Sequence, residues 1–293
     1  VIMWSRLIFI LFISGLGIVS WMPGQTLTRP LSQVPYSHTY FSTQIQQTDF
    51  VSSSQSPEIS TGDLVPGQLL PDLQTLPLTS LLLFHDADSG RTHIRFSNSI
   101  WNSGPGKLEL IGNPNQVRDQ ILVIQRIYGS AADKFEQHEV GEFVFHDQHD
   151  HWHLEQFASY EVWSVDQSGI LETMVATGGK VSYCVMDVSL AENNLSEGIV
   201  PRYRSYTHCE GNRQGLSVGW IDTYKYFYPG QSVEVSSLDD GIYALVSTVD
   251  PDHLLQEENI HNNSAVAYFE IREKNLNRVD YLFIEEEGEP NPR

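Results

Sequence analysis

The chain has 293 residues, 40% of them hydrophobic and 11% aromatic, which supplies enough apolar material for a sizeable core and excludes a disordered protein. With 17 Lys and Arg against 37 Asp and Glu, the formal charge is −20 at pH 7. That balance excludes nucleic acid as a partner, because phosphate backbones demand a basic face.

Residues 1–21 read as a signal peptide or N-terminal anchor. The stretch "LIFILFISGLGIV" follows a single positive charge at Arg6 and has the length of a signal-peptide core, short for a membrane span. No clean cleavage site follows, Ser20 and Gly24 being the small residues on offer, so an uncleaved anchor is the alternative. In both cases the chain is expected to be exported, secreted or anchored with its folded part outside the cytoplasm. Any membrane anchoring would run through this segment alone.

Residues 22–66 are dominated by Ser, Thr, Gln and Pro, as in "STQIQQTDFVSSSQSPEIST", and read as a solvated linker. Over residues 67–275 the texture changes to β-branched and aromatic runs closed by turn residues: "THIRFSNSIWN", "QILVIQRIY", "FASYEVWSV", "YALVSTV" and "SAVAYFEI". These predict a mainly β fold, an antiparallel sandwich-like domain with long loops and few short helices. Residues 276–293, with "FIEEEGEPNPR", read as an acidic C-terminal tail. Gly-rich phosphate loops and H-E-x-x-H are missing from the sequence. The two cysteines, Cys184 and Cys209, most simply pair as one disulfide in an exported chain, buried free thiols being the alternative.

The stretch "FHDQHDHWHLE", Phe145 to Glu155, holds four of the chain's 11 histidines. His149, His151 and His153 alternate, so an extended strand would set their imidazoles on one face about 7 Å apart. Three nitrogen donors without thiolates suit copper, zinc or nickel. His146 falls outside the alternation and is expected to point the other way, behind the ligands. A solvated His-rich surface strand is the plain alternative, against which stand the interleaved Trp152 and the strand-like run that follows.

The pattern from His146 through His149, His151 and His153, followed by Phe157 and Tyr160, resembles the copper-binding segment of lysyl oxidases. "GGKVSYCVMD", Gly178 to Asp187, is similar to the segment that holds that family's cofactor lysine. "CEGNRQGLSVGWIDTYKY", Cys209 to Tyr226, is similar to the segment that holds the cofactor tyrosine. The three occur in the family's order, and the resemblance runs from about Leu70 to Ile271.

It implies that His149, His151 and His153 hold copper and that Lys180 and Tyr224 become lysine tyrosylquinone, a cofactor made from the chain itself. The implied reaction is oxidative deamination of primary amines, either lysine side chains of proteins or small amines. Molecular oxygen would be the acceptor, and aldehyde, ammonia and hydrogen peroxide the products. An acidic surface would steer such cations. Asp187, Asp222 and Asp147 are candidates for the base that removes the substrate proton. "LLPDLQ" and "EENIHNN" resemble segments that supply a structural calcium site in animal members, which implies Asp72, Glu257, Asn259, Asn262 and Asn263 as ligands. Asn259 stands where an Asp is expected, which lowers the ligand charge. Animal members carry several disulfides, whereas this chain has cysteines for one, at matching positions; a shorter, microbial-type member is implied. Two rival readings are a three-histidine zinc hydrolase with an activated water and an extracellular copper-binding or adhesion module that never matures the quinone.

Overall fold

In Thr92–Asn102 the side chains of Ile94, Phe96, Asn98 and Ile100 alternate and are all fully buried, which is the period-two signature of a strand with one face in a core. The same logic builds the rest of the fold. The computed structural model describes residues 67–112, 120–129, 135–147, 150–191 and 200–279. The expected leader and linker, residues 1–66, lie outside the described residues, as does the end of the expected tail, residues 280–293.

Sixteen strands occur among the described residues. They are β1 Gln68–Leu69, β2 Leu73–Thr75, β3 Thr79–His85, β4 Thr92–Asn102, β5 Leu108–Gly112, β6 Gln120–Gly129, β7 Phe135–His146 and β8 His151–Val165, followed by β9 Leu171–Tyr183, β10 Ser189–Leu190, β11 Arg213–Leu216, β12 Trp220–Tyr224, β13 Ser232–Glu234, β14 Gly241–Val249, β15 Ser264–Arg272 and β16 Asn275–Val279. No helix occurs among these residues, so the expected antiparallel β fold is what forms. The last strand reaches Val279 by pairing with β15, so it takes in residues 276–279 of the stretch read as tail.

One sheet has ten strands, in the order β11-β5-β6-β7-β8-β14-β15-β16, with β1 on β6 and β9 on β8. The other has six, in the order β10-β12-β4-β13, with β2 and β3 also on β4. Leu73, Ile94, Phe96 and Ile100 of the smaller sheet share one core with Val123, Val162, Leu245 and Phe269 of the larger. At its centre Phe96 meets the Tyr160 ring edge-on at 4.6 Å. Removing so large a buried ring costs about 3 to 5 kcal/mol in comparable cores.

The inter-sheet space also holds a polar knot. The Tyr160 and Tyr183 hydroxyls are 2.6 Å apart, the Asn98 amide donates to both at 3.3 and 3.0 Å, and Ser247 donates to the Asn98 oxygen at 3.2 Å. All four residues are fully buried, so every member needs its partners and the knot fixes how the two sheets register. Burial, ahead of the surrounding hydrogen bonds, raises the Tyr160 phenol to about 12.

Pairing between β8 and β9 is interrupted by four register shifts, the first between Leu154 and Ala158. Bulges re-aim side chains and gather near functional sites. Here the first lies between the histidines and Ser159, the partner of Lys180, and the other three lie just beyond it.

Candidate active site

The histidine stretch folds as a hairpin. β7 ends at His146, β8 begins at His151, and the turn between them is closed by the Asp150 N–H on the His146 carbonyl at 2.9 Å, with Asp150 at φ 56°. His149, the first expected ligand, lies outside the described residues. The other two converge: the Nε2 atoms of His151 and His153 are 2.9 Å apart, the spacing of neighbouring donors on one ion bound at about 2.0 to 2.1 Å. Ser182 Oγ lies 3.2 Å from His153 Nδ1, which leaves Nε2 as the metal-facing nitrogen. Two imidazoles aimed at one point fit copper. Among the described residues no group of three His, Cys, Asp or Glu side chains forms a complete metal site.

The expectation that His146 points away is overturned. It assumed one continuous strand, but the turn folds His146 back opposite His151, and directly opposed residues of an antiparallel pair share a face. Its ring stacks on His153 with centroids 4.2 Å apart, and its Nε2 lies 3.4 Å from Ser182 Oγ and 3.7 Å from Glu155. His146 therefore buttresses His153 from the same side. Ser182 and Glu155 carry no signal that sequence reasoning used, although Ser182 sits inside the lysine motif.

Tyr224 ends β12, where it pairs with Asn98 of β4. Its ring stacks on Tyr183 at 3.8 Å and meets Tyr228 edge-on at 5.7 Å. The backbone N–H of Cys184 donates to its hydroxyl at 2.5 Å. Burial, then the nearby Asp222 charge, pushes the phenol well above its ordinary value, and the Cys184 N–H opposes them. Tyr224 is thus a neutral phenol at physiological pH, immobilised by stacking.

Cys184 and Cys209 form the expected disulfide, closing a separation of 25 residues. The bond ties the two halves of the site together. Cys209 accepts the N–H of Trp152, which stands between the two converging histidines, while Cys184 holds Tyr224. Gln214 completes the strap, donating to the Trp152 carbonyl at 2.7 Å and accepting the Val185 N–H at 2.9 Å.

Lys180 stands in β9 opposite Ser159. Its amine is bound by Asp252 at 2.6 and 2.5 Å and by Gln156 at 3.2 Å. Lys180 and Tyr224 are thus held by separate partners. The segment 180–184 joins them, with Ser182 touching the histidines on the way.

The three candidate bases separate clearly. Asp187 is fully buried and saturated, accepting the N–H groups of Ser205, Tyr206 and Ser217 and the Ser217 hydroxyl. Asp147 is exposed in the hairpin turn. Asp222, two residues before Tyr224, is fully buried, its Oδ1 has no partner, and burial pushes its carboxyl well above the ordinary range, with Asp187 adding to the rise. A carboxyl poised that way takes up a proton readily.

Four of the five expected calcium ligands gather between the β1–β2 connection and the loop before β15. Asn262 donates to Asp72 Oδ1 at 2.9 Å, and Glu257 receives Asn263 at 2.9 Å and the Leu73 N–H at 2.7 Å. The amide oxygens of Asn262 and Asn263 are buried with no partner. Burial, then the Asp250 and Asp72 charges, raises the Glu257 carboxyl to about 8. Two orphaned oxygens beside two carboxylates fit a hard cation that prefers oxygen ligands. Asn259 is exposed and accepts the N–H of His261 in a local turn.

The family described as lysyl oxidase matches residues 116–280. Similar proteins include lysyl oxidase homolog 2B of Danio rerio, 32% identical over 178 residues, covering 60% of this chain and 18% of the relative. Protein-lysine 6-oxidase of Gallus gallus is 32% identical over 120 residues, 41% of this chain and 26% of the relative. Its counterpart in Sus scrofa is 31% identical over 129 residues, 44% of this chain and 46% of the relative. The chain thus spans less than half the length of each of these relatives. Because the family match covers more than half of its residues, the protein belongs to the lysyl oxidase family.

Proposed function

We propose that the protein is an exported copper-dependent amine oxidase. In this reading His149, His151 and His153 hold copper, and Lys180 and Tyr224 are the precursors of lysine tyrosylquinone. Bound copper and the quinone supply the redox chemistry, which turns a primary amine, dioxygen and water into an aldehyde, ammonia and hydrogen peroxide.

The observation that carries the proposal is the junction at the end of β9. Ser182 touches His153 and Cys184 holds the Tyr224 hydroxyl, so the metal-facing imidazoles and the tyrosine are fixed from one short segment. The chain's own groups then have defined work. Ser182 orients His153 through Nδ1, and Tyr183 and Tyr228 fix the plane of the Tyr224 ring. Asp222, with its unpartnered oxygen, accepts the proton from the carbon next to the substrate nitrogen. The substrates are lysine side chains of proteins or small primary amines, which the formal charge of −20 attracts. The disulfide supports an oxidising, extracellular setting.

Asp72, Glu257, Asn262 and Asn263 would hold a structural calcium, with the exposed Asn259 no more than an outer contributor. The zinc-hydrolase and copper-module readings leave Asp222 and the restrained Tyr224 without work.

The test is peroxide release on adding a primary amine to copper-loaded protein. Wild type should turn over, while Lys180→Ala and Tyr224→Phe should bind copper and stay inactive. Activity retained in either variant would remove the quinone mechanism. Amide or ester hydrolysis with zinc would favour the hydrolase.

A further inference from the structure

A lysine ammonium carries three donors and no acceptor, and on a protein surface water ordinarily takes them. Lys180, with 41% of its side chain exposed, instead has a protein acceptor for each: both carboxylate oxygens of Asp252 and Gln156 Oε1. Backbone in an unusual conformation carries Gln156 and flanks Asp252 and Lys180. Gln156 lies at φ 55°, Asp250 at 45°, His253 at 53° and Gly179 at 71°, a left-handed region that residues other than glycine rarely enter. The turn carrying Asp252 is pinned by Asp250. Its carboxylate accepts the N–H groups of Leu254 and Leu255, both at 3.0 Å, and its own N–H reaches the Phe157 carbonyl at 2.9 Å, next to Gln156. Four left-handed positions thus surround one amine, and such strain gathers where a side chain must be held in a defined place.

The grip keeps Lys180 from its expected partner. The Tyr224 hydroxyl is held at Cys184, four residues further on, roughly 13 Å of extended chain. We propose that Asp252, aided by Gln156, is a positioning residue that parks the Lys180 amine until Tyr224 has been oxidised, so that release from Asp252 limits the rate of cross-linking. This rests on the oxidase reading. The cross-link forms a bond between Lys180 Nζ and a carbon of the oxidised Tyr224 ring. An amine hydrogen and a ring hydrogen leave as protons, and their two electrons pass to dioxygen, giving hydrogen peroxide.

The experiment compares full-length wild type, Asp252→Asn and Asp252→Glu with two readouts. In metal-free protein, limiting acetic anhydride labels amines, and peptide mapping gives Lys180 acetylation relative to Lys225. Asp252→Asn should raise that ratio roughly two- to fivefold, the range a half-exposed ion pair supports, while Asp252→Glu keeps it near wild type. An unchanged ratio in Asp252→Asn overturns the grip. With copper and air, Asp252→Asn should then form the Lys180–Tyr224 cross-link faster than wild type by a similar factor. A wild type that cross-links while Asp252→Asn is no faster removes the parking role alone. Absence of the cross-link from all three proteins removes the oxidase reading and the parking role with it.

Discussion

Replacing Glu109 by Gln tests the electrostatic anchor of the strap that holds the site together. Glu109 on β5 has a side chain only 3% exposed and receives Arg213 at 3.0 and 2.7 Å, Tyr206 at 3.2 Å and Lys107 at 3.3 Å, with Tyr128 also donating to it. Arg213 opens β11, the strand that carries Gln214 to the Trp152 carbonyl. Burial pushes the Glu109 carboxyl up, but the hydrogen bonds from Tyr128 and Arg213 and the charges of Lys107 and Arg213 outweigh it and bring the carboxyl down to about 2, against 4.5 ordinarily. A folded value below the unfolded one adds stability that is complete above the unfolded value and is lost as pH falls towards the folded one. At about 1.4 kcal/mol per pH unit, this amounts to about 3 kcal/mol. Urea unfolding at intervals from pH 7 to pH 2.5 should find wild type more stable than Glu109→Gln by about that amount at pH 7, with most of the gap gone by pH 2.5. A gap that stays constant over the range would mean that ionised Glu109 adds no stability through its partners.

His153→Ala should lower copper affinity more than 100-fold and Ser182→Ala about 10- to 100-fold, read by competition with a coloured chelator. Equal, small effects would argue against His153 as a ligand. Calcium at 100 times its dissociation constant should stabilise wild type by about 2.7 kcal/mol in thermal or urea unfolding and leave Glu257→Gln nearly unmoved. An identical gain in both proteins would place the ion elsewhere. Cys184→Ser with Cys209→Ser should cost about 3 kcal/mol in urea unfolding, the loop entropy of a 25-residue separation. A cost near zero would mean that the strap holds without the bond.

Strands whose apolar residues alternate were legible: "THIRFSNSIWN" is β4 to the residue, and "SAVAYFEI" falls within β15. β7 and β9 were not. β7 carries Glu136, Glu139 and Glu142, and β9 contains Gly178 and Gly179, compositions that read as surface or turn and become strands because β8 lies between them with a backbone to pair. For the site, the alternation of His151 and His153 correctly placed two imidazoles together, whereas the orientation of His146 depended on a turn that the histidine count conceals. Sequence could name Asp222 among three candidates, but only the structure separates it, by its unpartnered oxygen from the saturated Asp187 and by burial from the exposed Asp147. The Asp252–Lys180 contact spans 72 residues and had no local signature at all.

We propose that Lys180 and Tyr224, whose partners are distinct in this structure, become the cofactor of this chain. The most direct measurement is a peptide map, with intact mass, of the protein produced by an export route and exposed to copper and air. A cross-linked peptide joining the segments of Lys180 and Tyr224, carrying the mass change of quinone formation, is the result expected. Copper-loaded protein in which both peptides remain separate and unmodified would contradict it.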